Sequence, residues 1–189
     1  MVTELINDET IWYLVRSSGT VAYLFMAAST IWGLVISSKF LKEIVPGPLS
    51  LAMHNYLSWN AIGLTVLHAV LLLFSGYMEY SVLNLLVPFT GPYSPFWVGL
   101  GIIGLYLAIL TTLTFYIRGR IGYKTFHLLH YLTYGAFVLS LLHSWFAGTD
   151  TAVLQTTYLV TGLLVFFLTA YRVLTALTDR RAVAQPQQA

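Results

Sequence analysis

Apolar residues run in long unbroken stretches along this chain, and polar residues collect in the gaps between them. Five stretches, at about 11–37, 49–75, 95–117, 124–147 and 151–177, reach the roughly 20 helical residues that a hydrocarbon core of about 30 Å requires. The gaps carry their own signals. Lys42-Glu43-Ile44-Val45-Pro46-Gly47-Pro48 is a breaker cluster that ends the first stretch and launches the second. The connection over 76–94 is apolar at 83–87 but interrupted by Pro88, Gly91 and Pro92, so it is expected at the membrane interface, with Trp97 in the aromatic belt. Gly148 is placed to end the fourth stretch, and Thr149 or Asp150 to cap the fifth. The pattern predicts an all-α polytopic bundle of five transmembrane helices over residues 1–178. A disordered tail follows over 179–189. The sequence shows no internal repeat.

Composition agrees with the pattern: 58% of residues are hydrophobic and 8% charged, and the mean hydropathy is +0.77, as in an integral membrane protein. Outside the five stretches there is no room for a soluble domain, and no G-x-G-x-x-G follows a strand. Flavin or nicotinamide chemistry therefore needs a partner chain. Cysteine is absent, which excludes disulfides, iron-sulfur clusters, thiolate-ligated haem and haem attached through C-x-x-C-H. The first ten residues are acidic and lack the basic start of a signal peptide, so the first span is expected to stay in the mature protein.

Charge sets the expected orientation. Lys39, Lys42, Arg118, Arg120, Lys124, Arg172, Arg180 and Arg181 share one side, whereas Glu4, Asp8, Glu9, Glu79 and Asp150 lie on the other with Arg16. By the positive-inside rule the N-terminus is outside and the C-terminus is in the cytoplasm, in a cytoplasmic (inner) membrane. This asymmetry accounts for the net charge of +2, and no nucleic-acid partner is needed to explain it.

All five histidines lie in two stretches: His54 and His68 in the second, His127, His130 and His143 in the fourth. A histidine inside an apolar helix costs desolvation free energy and marks a ligand, a proton path or a polar cavity. At about 1.5 Å per residue, the fourteen residues from His54 to His68 span roughly 21 Å and the thirteen from His130 to His143 roughly 20 Å. Both helices run in the same direction, so His54 can face His130 near the inner leaflet and His68 can face His143 near the outer one. Imidazole ligates haem iron from either face, and the arrangement points to two non-covalent b-type haems, each between two histidines. At about 100° per residue His54 and His68 fall within about 40° of one another. His143 falls about 140° from His130, and about 160° from His127, so the fourth helix must be irregular; Gly135 is the expected place.

The remaining polar residues admit more than one reading. His127 lies about 60° round the helix from His130 and suits a propionate partner, a proton or quinone group, or an interfacial histidine better than a ligand. Arg16 can snorkel to the headgroups or pair with an outer-haem propionate. Arg118-Gly-Arg120-Ile-Gly-Tyr-Lys124 is most simply a topology signal, and can also serve inner propionates or an acidic partner.

Several of these residues resemble a known family, the ferric reductase-like transmembrane domain of NADPH oxidases, metalloreductases and the haem subunit of a bacterial methionine sulfoxide reductase system. Arg16-Ser-Ser-Gly19-Thr-Val-Ala22-Tyr resembles the opening span of bacterial members, and His54 and His68 match the first ligand helix. Leu129-His130-Tyr-Leu-Thr-Tyr134 resembles the start of the second ligand helix, and Leu142-His143 with Ala147-Gly148-Thr-Asp150 its outer end. The fourteen and thirteen intervals agree with that family as well. The chain departs from it in having five spans in place of the usual six, and in lacking a following flavin or nicotinamide module.

The function expected is transmembrane electron transfer through two stacked haems, as the haem-binding subunit of an oxidoreductase. A separate flavoprotein or a membrane quinol would be the donor, and an outer-face acceptor would dock near 76–94, with further partner subunits possible. A histidine-based proton or metal-ion transporter is the alternative from another class. Neither histidine stretch contains the Asp or Glu that such a site would want.

Overall fold

A computed structural model describes residues 7–38 and 45–184, with side chains as far as Thr178. Lys39, Lys42 and Glu4, the side chains of Arg180 and Arg181 and residues 185–189 lie outside the described residues; residues 179–184, expected to belong to a disordered tail, instead continue the last helix. Seven helices are found within them: α1 (Asp8–Ser37), α2 (Gly47–Leu72), α3 (Val82–Leu86), α4 (Pro95–Ile121), α5 (Tyr123–His130), α6 (Leu132–Ala147) and α7 (Thr151–Ala184). Four spans are long and apolar enough to cross a bilayer: α1, α4, α5 taken with α6, and α7 through Thr178. The fifth, α2, has 26 residues but is less apolar, because it carries His54, Asn55, Ser58, Asn60 and His68. The chain is an all-helical integral membrane bundle.

Local chemistry explains the helix limits. Asn7 caps α1 by accepting from the Thr10 N–H at 2.8 Å, and Pro48 occupies the first turn of α2, where its missing N–H costs nothing. The loop between α4 and α5 turns on a single residue, Gly122, at φ 80° and ψ 153°. Gly148 ends α6 as expected, in extended rather than left-handed backbone. The carbonyl of Asp150 accepts the first N–H groups of α7, from Val153 and Leu154.

The helices pack as two antiparallel pairs, α1 against α2 and α4 against α6, with α7 resting on α1 and α6. Tyr23, Ala27 and Leu34 of α1 meet Phe137 of α6 and Tyr158 and Val165 of α7 in the main core, where the Tyr23 and Thr161 hydroxyls bond at 2.5 Å. A smaller cluster of Ile62, Ala108 and Ala136 joins α2, α4 and α6. Large apolar side chains such as Phe166, Phe167 and Leu174 face outward on α7, as lipid contact requires.

The connection from α2 to α4 is ordered by its own bonds. Ser81 and Asn84 form a reciprocal cap on α3, the Asn84 side chain donates to the Thr90 carbonyl at 2.7 Å, and Tyr106 donates to the Leu86 carbonyl. Phe89 lies directly over Gly99, where an added Cβ would collide with its ring. The connection thereby closes over the end of the bundle that carries Asp8, Glu9 and Asp150, the acidic end. Arg118, Arg120 and Lys124 mark the opposite, basic end.

Candidate functional site

Two imidazole pairs face one another across the slot between the α1–α2 pair and the α4–α6 pair. His54 of α2 meets His130 of α5 toward the basic end, with ring centroids 6.1 Å apart at 74°. His68 of α2 meets His143 of α6 toward the acidic end, at 6.4 Å and 73°. His127 joins neither pair. It is exposed, and its Nδ1 donates to the Tyr123 carbonyl at 2.7 Å.

The fourth span is irregular, at Tyr131 and not at Gly135. Tyr131 separates α5 from α6, and the Tyr134 N–H reaches only three residues back, to the Tyr131 carbonyl at 3.2 Å. Glycine is not needed, because Tyr131 keeps φ −63° and ψ −18°, which any residue adopts. Gly135 lies in regular helix, where an added Cβ would make ordinary contact with Leu107 at 3.5 Å. The break changes the helical phase between His130 and His143, so both rings turn into the same slot.

Three of the four paired imidazoles are tied back to a neighbouring helix. His68 Nδ1 lies 2.8 Å from the Val15 carbonyl, His54 Nδ1 3.1 Å from the Ser29 carbonyl and His143 Nδ1 3.1 Å from the Trp97 carbonyl. A carbonyl oxygen only accepts, so in each ring Nδ1 carries the hydrogen and Nε2 keeps its lone pair. The Ser29 hydroxyl, bonded to Ser58 at 2.7 Å, lies beside His54 as well. His130 is the exception: its Nδ1 is buried and has no hydrogen-bond partner among the described residues.

These pairs suit one metal each. An imidazole nitrogen binds a first-row metal at about 2.0 Å, and with the ring centre ~1.1 Å behind it, two opposed rings on one metal have centres roughly 6.2 Å apart. The observed 6.1 and 6.4 Å match. Each pair also opens on a cavity. The basic-end cavity has a volume of about 820 Å³ and is bounded by Gly33, Ser58, Thr111, Phe126 and Arg172. The acidic-end cavity, of about 180 Å³, is bounded by Gly19, Thr65, Tyr93, Gly101 and Ser140. Mostly apolar walls with a few polar groups fit a porphyrin edge better than a hydrated ion.

At the rim of the acidic-end cavity Arg16 pairs with Asp150 through two hydrogen bonds. Arg16 is thus fixed to the α6–α7 loop. Its hydrogen bond holds the Asp150 carboxyl below the usual carboxylate range, against the opposing effect of desolvation. The five-donor guanidinium still has capacity for a second anion.

The sequence model described as "Ferric reductase like transmembrane component" matches residues 18–141, well over half of the chain. The chain belongs to this family. The matched segment includes His54, His68 and His130 and stops just short of His143. No curated protein and no solved structure matches this ferric reductase-like chain. Membership makes it a transmembrane electron-transfer component, set in a lipid bilayer and working with redox partners.

The groups behind the histidines are backbone carbonyls and glycines. The carbonyls of Val15, Ser29 and Trp97 leave no sequence signal. Gly19 and Gly33 do, because their interval of fourteen repeats that of His54 and His68. Asp150 stands at the cap position before α7 as expected, and its side chain in addition pairs with Arg16.

Proposed function

We propose that this chain is the electron-carrying membrane subunit of an oxidoreductase, and that it binds two b-type haems non-covalently, one between His54 and His130 and one between His68 and His143. The observation that carries this reading is the pair of opposed imidazole couples, 6.1 and 6.4 Å between ring centres. When bound, the haems supply two one-electron carriers at different depths in the membrane. The chain's part is to hold the rings in a fixed tautomer, to set the distance between the sites along α2, and to keep water out with apolar walls. With two protein ligands per iron no position is open for substrate, which favours outer-sphere transfer.

Charge asymmetry supports an orientation with the basic end in the cytoplasm and the N-terminus outside, in the cytoplasmic membrane. The donor, a separate flavoprotein or a membrane quinol, then meets the basic end, and the acceptor docks over the 76–94 connection. The exposed His127, at the mouth of the basic-end cavity, favours a quinol, whose oxidation needs a proton acceptor. At Arg16 the fork that holds Asp150 is available to a propionate. A bare metal-ion site has less support, because no three His, Cys, Asp or Glu side chains converge among the described residues.

A reduced-minus-oxidised absorption spectrum with haem-to-protein stoichiometry tests the reading. Two haems per chain are expected, with His54→Ala and His143→Ala each losing one. A colourless preparation after growth with ample iron and haem precursor overturns it. Reducing the same preparation with a quinol, and separately with a reduced flavin, distinguishes the donors.

A further inference from the structure

The three tied imidazoles share one device. The accepting carbonyl belongs to residue i of a backing helix, and residue i+4 of that helix is glycine each time: Val15 with Gly19, Ser29 with Gly33, Trp97 with Gly101. Side-chain Cβ atoms tilt toward the helix N-terminus, so a Cβ at i+4 would stand beside the carbonyl of i, where the ring now lies. At Gly19 it would come 2.8 Å from His68 Nδ1, at Gly101 2.8 Å from His143 Nδ1, and at Gly33 3.1 Å from His54 Cε1. Each glycine costs about 1 kcal/mol of helix propensity relative to alanine. The helix keeps its own bond, because the carbonyl has a second lone pair for the imidazole.

We infer that Gly19, Gly33 and Gly101 are positioning residues that open a backbone carbonyl to the ligand histidine behind them, and that His130 alone works without such support. The inference rests on the haem reading above. In α4 the positions thirteen or fourteen residues beyond Trp97 are Leu110 and Thr111, and those beyond Gly101 are Thr114 and Phe115, so the register offers His130 no glycine. The Thr111 carbonyl is also engaged by the Thr114 hydroxyl at 2.7 Å. Among the described residues the two sites therefore differ: at the acidic end both imidazoles donate to carbonyls, at the basic end only His54 does.

A hydrogen bond from Nδ1 raises the basicity of the ligating nitrogen and favours the oxidised metal. Its loss moves the midpoint potential upward. Potentiometric titration of the full haem-loaded chain is the test, with Gly63→Ala as control, because a Cβ at Gly63 meets nothing within 4 Å. Gly19→Ala and Gly101→Ala are expected to raise the same midpoint, Gly33→Ala the other, and Gly63→Ala neither. Unchanged midpoints with both haems retained, or an equal shift in Gly63→Ala, overturn the inference while leaving the haem reading intact. NMR of the [15N]histidine-labelled full chain, made without haem, covers variants that lose the cofactor. His54, His68 and His143 protonated on Nδ1 uphold the assignment, and protonation on Nε2 in these three overturns it.

Discussion

Arg16 and Asp150 lie 134 residues apart in sequence and join the first span to the loop before the last. The side chains are 34% and 24% exposed, so solvent screens the pair and its contribution is modest. The pH dependence has a definite sign. The Asp150 carboxyl is held below its unfolded value of about 3.9 by the Arg16 hydrogen bond, so its contribution is present above that value and lost as pH falls through the folded one. Asp150→Asn is therefore expected to lower the Tm of the detergent-solubilised protein at pH 7. The gap should narrow below about pH 4 and close in stronger acid, as thermal melts of both proteins across that range will read. A gap independent of pH would assign the effect of Asp150 to the backbone turn, where its carbonyl receives α7.

At the scale of elements, the α4–α5 turn governs where His130 stands. Gly122, at φ 80° and ψ 153°, occupies a region open essentially to glycine alone, so Gly122→Ala is expected to cost about 1–3 kcal/mol. Its carbonyl accepts the Phe126 N–H at 3.0 Å, and Phe126 packs on His130 at 5.3 Å between centroids. The strain thus passes to the basic-end site, and haem stoichiometry should fall there first while the site on His68 and His143 holds. Unchanged melting and both haems retained would count against this route. The turn also shows what was legible in sequence. Helix limits at Pro48 and Gly148 could be read because breakers act locally, and the opposition of the two histidine helices because their intervals nearly match. The break at Tyr131 could not be read, since an ordinary residue in ordinary helical backbone hosts it and three-dimensional phasing of His143 demands it. Nor could the ties from histidine to carbonyl, because backbone acceptors have no residue type; only the glycines beside them do.

For the whole molecule the question is direction. The chain contains no cysteine, so single replacements report on sidedness without background labelling. Gly119, at the basic end, and Glu79, in the connection at the acidic end, are both exposed. If the basic end faces the cytoplasm, as proposed, an impermeant maleimide should label Glu79→Cys in intact cells and Gly119→Cys only after permeabilisation. The same orientation dictates how a membrane potential acts on the electron. An inside-negative potential is worth about 2.3 kcal/mol per elementary charge per 100 mV across the full membrane, and it drives an electron from the basic end toward the acidic end. Because the histidine pairs lie at different depths, the step between them crosses part of that field and takes a corresponding share. Sealed vesicles whose orientation the cysteines have established, with dithionite trapped inside and ferricyanide outside, should reduce ferricyanide faster when a potassium diffusion potential makes the interior negative. Transfer should slow when the sign is reversed. A rate indifferent to the potential would mean that no rate-limiting charge movement runs along the membrane normal.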